Sequence, residues 1–188
     1  MSADPPISPL PESSPQRPGE HIAFRKDPSS FFSILSPRPQ RLRGESAATL
    51  TLRRPFEDLR PRALQLYARH LQAQIAGGRA FDCLITGDAE MRRLNRTFRA
   101  HDYPTDVLSF PGFAPHLGDL AISIQRARAQ ARRFGHGTEE EIRILMLHGL
   151  LHLLGLDHEN GDGRMQRAER RWRARLGLPC GLIERGQP

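Results

Sequence analysis

The chain predicts an α+β domain, and three observations carry that prediction. Short apolar or alternating runs, of strand length, are interleaved with helical patterns from residue 48 to residue 134. A further helix from about residue 138 is apolar nearly all round, which places it inside a domain. The first 46 residues differ in kind, holding nine of the sixteen prolines, many serines and a single apolar cluster, Phe31-Phe32-Ser33-Ile34-Leu35. That composition buries too little apolar surface to offset ordering entropy. Residues 1–46 are therefore expected to be a disordered extension, 47–180 the folded domain and 181–188 a short tail.

Residues 48–53 alternate as a half-buried strand does. Pro61 opens a helix to about Ala76, with Leu64, Leu66, Ala68, Leu71 and Ile75 as its apolar contacts, and Gly77-Gly78 stops it. A second strand is expected over 80–86. Asp88 is the expected cap of a helix with Met91, Leu94 and Phe98 on one stripe. Pro104 rules out its continuation. Residues 105–110 and 118–123 read as strands, joined by a loop with Pro111, Gly112 and Pro115. A basic helix runs from Ile124 to Phe134. Thr138 and Glu141 then form the pattern of a capping box at the start of the apolar helix. A last helix spans about Gly163 to Leu176; Met165, Ala168, Trp172 and Leu176 make its buried stripe, and six arginines cover the rest.

Composition narrows the setting. The formal charge is +7, and residues 47–188 hold 22 basic against 16 acidic side chains. All basic residues but Lys26 are arginine, whose planar fork suits phosphate. A polyanionic partner is one account; arginine-rich codon usage is the plainer one. No stretch approaches a membrane span, and the N-terminus has no apolar secretory core. Two distant cysteines, Cys83 and Cys180, read as reduced thiols in a cytoplasmic setting.

The densest chemistry lies at residues 148–158, His-Gly-Leu-Leu-His-Leu-Leu-Gly-Leu-Asp-His. His148 and His152, four apart, project from one helical face. Gly155 can end the helix in a left-handed conformation and let the chain bring back His158. Three imidazoles with no fourth protein ligand match a catalytic zinc site with an open position. The spacing is that of metzincin proteases, except that Gly149 occupies the place of their general-base glutamate. A zinc hydrolase that is not a conventional protease follows.

Three segments in order resemble the YbeY proteins, bacterial endoribonucleases of ribosome maturation: Asn95 through Pro111, Leu117 through Ile122, and His148 through His158. The likeness covers about residues 47–178. It implies a zincin-like single domain with a small mixed four-stranded sheet packed against helices around a central metal-bearing helix. It also implies one zinc or similar divalent ion on His148, His152 and His158. The implied activity is single-strand-specific cleavage of rRNA precursors, in small-subunit rRNA 3′-end maturation and ribosome quality control, in the cytoplasm and at or near the ribosome. Arg99 falls at the family's functionally important arginine. Phe98, His101 and Leu156 depart from common family residues, and none of them removes a ligand.

An ion with an open position can acidify bound water or polarise a phosphoryl oxygen. Arg99 is the candidate for stabilising charge on the phosphate, against a structural ion pair with Asp102 or Asp106. Asp119 and Asp157 are candidates to orient a ligating histidine. His21, His70, His101, His116 and His136 read as ordinary histidines, though His101 and His116 lie near motif loops. Attack by water and attack by the ribose 2′-hydroxyl both stay open. So do two other functions: a metallopeptidase-like hydrolase with a base from elsewhere, and a non-catalytic ribosome-assembly factor with a structural metal.

Overall fold

In the computed structural model, which describes residues 47–157 and 163–179, four strands and five helices alternate as the sequence patterns require. They are β1 (Thr49–Leu52), α1 (Pro61–Gln74), β2 (Phe81–Thr86), α2 (Asp88–Arg99), β3 (Val107–Pro111), β4 (Gly118–Ser123), α3 (Ile124–Phe134), α4 (Thr138–Leu153) and α5 (Arg164–Leu176). The proposed extension, His158 and Cys180 lie outside the described residues. The sheet order is β1-β2-β4-β3, with β1, β2 and β4 parallel and β3 antiparallel to β4. This is the expected α+β fold with a mixed four-stranded sheet.

Strand alternation divides the core in two. Cys83, Ile85, Val107, Leu120 and Ile122 pack with α1 and α4, whereas Leu108, Phe110 and Ala121 meet Met91, Leu94 and Phe98 of α2. Every residue of β4 is buried, because helices cover both of its faces. Helix α4 is central as predicted: it touches α1, α3, α5, β3 and β4, and twelve of its sixteen residues are buried. The outer edge of β1 is closed by side chains. Gln72 Oε1 accepts from the Ala48 amide at 2.7 Å, and Gln65 accepts from the Leu50 amide at 2.8 Å while donating to the Ala48 carbonyl at 2.7 Å. Two glutamines thus stand in for a missing strand.

Two expected caps are corrected. Gly87, not Asp88, precedes α2 as its cap, and the Asp88 carboxylate instead accepts from the Ser123 hydroxyl. At α4 the cap is Gly137, with Glu140 reaching back to its amide at 2.8 Å; Thr138 is already helical. Glu141 is turned by the helix phase into the core, where it meets Nε2 of His136. Strand β3 begins at Val107 rather than 105, and just before it the Asp106 carboxylate takes the Val107 amide at 2.8 Å. Among the described residues no helix is long and apolar enough to cross a membrane.

Candidate metal centre and its surroundings

His148 and His152 stand one turn apart on α4 with ring centroids 4.9 Å apart and rings inclined at 73°. The Nε2 atoms of both are buried. Nδ1 of His148 lies 3.0 Å from Oε1 of Glu169 on α5, and both side chains are only 1% exposed. An ionised carboxylate only accepts, so Nδ1 donates to it, and in a neutral imidazole this leaves the lone pair on Nε2. Past Leu153 the chain turns as the sequence predicts. Gly155 has φ +81°, its amide bonds the His152 carbonyl at 2.9 Å, and the Leu156 amide returns to Leu151 at 3.1 Å. Two of the three expected ligands are therefore described and adjacent.

Gly149 faces the sheet. A Cβ there would lie 2.8 Å from Leu120 Cδ2, 3.1 Å from Ser109 Oγ and 3.2 Å from Val107 Cγ2. Ser109 also donates to the Gly149 carbonyl at 3.1 Å. The glycine is thus a close contact between helix and strands β3 and β4, with no room for the glutamate of a zinc peptidase.

The other candidates fall elsewhere. Arg99 is the last residue of α2, half-buried with Nη2 out of solvent, and Ala100 ends that helix at φ 60°. Helix α2 packs on the sheet face opposite α4. Asp102 is held in a fork by Arg92 at 3.0 and 2.6 Å. Asp119 is buried in β4, and alternation sets it on the face of Ala121, away from α4. The histidine it meets is His116, at 3.5 Å, and the carboxylate that meets His148 is Glu169. Asp157 is half-buried just beyond α4. His101 stacks on Tyr103, His136 meets Glu141, and His70 is exposed; His21 lies outside the described residues.

A second group was not anticipated as a unit. Asp82 and Asp119 are register partners on β2 and β4, and with His116 they offer ligand atoms all within 4.8 Å of one another. These three residues could hold a metal ion. The Thr49 hydroxyl also donates to Asp82. Glu169 had a faint sequence signal: an acid four residues after Met165 falls on the apolar stripe of α5, where an arginine-rich surface would have excluded nothing. The outward face of α5 exposes Arg164, Arg167, Arg170, Arg171 and Arg175, with the last two 6.0 and 5.2 Å over the Trp172 ring.

The chain is similar to proteins of one family. Residues 47–177 match the profile of the family described as endoribonuclease YbeY. An endoribonuclease YbeY of Solibacter usitatus is 64% identical over 140 residues, covering 74% of this chain and 95% of the relative. One of Koribacter versatilis is 50% identical over 103 residues, covering 54% of this chain and 68% of the relative. The solution structure of TM1509 from Thermotoga maritima aligns at 26% identity with a TM-score of 0.49, over 67% of this chain and 85% of that one.

Proposed function

The chain belongs to the endoribonuclease YbeY family, and on that premise we propose a zinc-dependent, single-strand-specific enzyme whose ion sits on His148, His152 and His158. The reaction is phosphodiester cleavage within RNA, and we assign it to rRNA processing. The observation that carries the site is the His148–His152 pair on the central helix, its Nε2 atoms buried and Nδ1 of His148 held by a carboxylate. That donor set fits a borderline transition metal: imidazoles suit zinc, and a carboxylate behind a ligating histidine is the usual support. The ion would supply Lewis acidity at a phosphoryl oxygen and acidify a bound water.

The protein's own groups do the remaining work. Arg99, half-buried at the C-terminal end of α2, is the candidate that the family likeness offers for the phosphate. Its permanently charged fork would match two non-bridging oxygens, provided the RNA spans from the α4 histidines to that end of α2. The exposed arginines of α5 track the backbone of a single strand, and the +7 charge favours such a partner. The substrate we infer is the precursor of small-subunit rRNA at its 3′ end, met in the cytoplasm at or near the ribosome, with a part in ribosome quality control. A peptidase role lacks its base at position 149, where even a Cβ would crowd Leu120, Ser109 and Val107.

Asp82, His116 and Asp119 are the other place for the ion. Purified wild type, His152→Ala and Asp119→Asn are compared for zinc binding and for cleavage of a single-stranded RNA and its all-deoxy counterpart at low salt. Loss of both binding and cleavage in folded His152→Ala, with Asp119→Asn still loaded, is the expected result. Loss confined to Asp119→Asn would move the ion to the second group. Binding of zinc and RNA without cleavage would favour an assembly factor. Sparing of the DNA would favour attack by the 2′-hydroxyl.

A further inference from the structure

We infer that Glu169 is a positioning residue for the metal centre, locking the His148 ring so that Nε2 is presented as the ligand atom. The inference rests on the reading that the α4 histidines hold the ion. Its basis is geometric: Oε1 of Glu169 lies 3.0 Å from Nδ1 of His148, and both side chains are 1% exposed. Glu169 occupies an apolar-stripe position of α5, between Met165, which is wholly buried, and Trp172, which packs on the same core. A leucine there would pack without desolvating a charge. A buried carboxylate loses its hydration before any partner is counted, and a buried pair seldom stabilises a fold more than apolar residues of similar size. Stability therefore does not account for the glutamate; orientation of the imidazole does.

Two consequences follow from the contact. A carboxylate acceptor selects the Nδ1–H tautomer, which leaves the Nε2 lone pair for coordination. The same contact ties α5 to α4, and the chain connecting those two helices carries His158. One side chain thus orients His148 and ties α5 to α4.

The test uses the full chain and zinc alone, with wild type, His152→Ala, Glu169→Gln and Glu169→Leu. Zinc affinity is read by competition with a chromophoric chelator. The His148 tautomer is read in metal-free protein by long-range nitrogen–proton NMR, which a merely structural role would not move. Loss of an outer partner of this kind typically costs about 10–100-fold in metal affinity. Glu169→Gln, which keeps shape and an acceptor oxygen, should sit near the lower end with the tautomer retained. Glu169→Leu should sit near the upper end with the Nδ1–H form lost. Zinc affinity of folded Glu169→Gln within about twofold of wild type overturns the inference, and so does an unchanged tautomer in folded Glu169→Leu. If Glu169→Leu does not fold, the glutamine variant decides alone. Equal zinc binding by wild type and His152→Ala would instead defeat the α4 site itself, and the inference with it.

Discussion

Replacing Gly149 by alanine sets two opposed effects of known size against each other. In an unobstructed helix interior alanine is favoured over glycine by about 1 kcal/mol. Here the new Cβ would meet Leu120 Cδ2 at 2.8 Å, Ser109 Oγ at 3.1 Å and Val107 Cγ2 at 3.2 Å. Leu120 and Val107 are buried, and Ser109 is tied to the Gly149 carbonyl, so three neighbours must give together. Overpacking of this kind costs about 1–3 kcal/mol. The balance is a net loss of about 1 kcal/mol, or a fall of about 4 °C in Tm for a domain of this size. Urea unfolding of metal-free protein measures it as a lower midpoint at constant slope. Adding Leu120→Val withdraws the nearest atom, so the double variant should show a favourable coupling of about 1 kcal/mol. Stabilisation of Gly149→Ala by about 1 kcal/mol would refute the close approach. It would also remove the steric reason for the absent glutamate.

Other expectations concern the edge, the surface charges and the core thiol. Replacing Gln65 and Gln72 together by alanine should cost about 1 kcal/mol per lost hydrogen bond and bring concentration-dependent self-association in size-exclusion runs; a monomer of unchanged stability would show that these glutamines do not guard the edge. The hydrogen bond from Arg128 holds the Asp58 carboxyl below its ordinary value of 3.8, and that from Arg92 does the same for Asp102. Folded values that are lowered give stabilisation that is present above the unfolded value and lost as pH falls through the folded one. Arg128→Met should therefore flatten part of the acid limb below pH 3.8, as should high salt, and an acid limb identical to wild type would discount the pair. Burial pushes the Cys83 thiol well above its usual range. In a Cys180→Ser background it should resist a thiol reagent until urea unfolds the chain, and rapid labelling of folded protein would contradict its burial.

Much of the fold was legible because its signals are local. Helix α3 runs from Ile124 to Phe134 as expected, since Ser123 accepts from the Arg126 amide at one end and Gly135 is left-handed at the other. Strand β4 and the turn at Gly155 follow equally from nearest neighbours. The cap of α4 lies one residue before the expected one, because Gly137 has no side chain to mark it in the sequence. Glu141, expected in the capping box, has its carboxylate in the core with His136 instead.

At the site the same division holds. The pairing of His148 with His152 was determined by the sequence alone, because a spacing of four on a helix puts two side chains on one face wherever that helix lies. Alternation along β4 likewise requires that Asp119 and Leu120 face opposite ways. Which of those faces meets α4 depends on how the helix packs across the sheet, and that is settled by contacts between distant segments. Packing chose Leu120 for the helix and left Asp119 beside Asp82 and His116. It also brought Glu169 to His148 across 21 residues of chain and pressed Gly149 against β3 and β4. Local spacing decides which side chains a helix or strand presents together; only tertiary packing decides what they meet, because that partner is chosen by docking surfaces far apart in the chain.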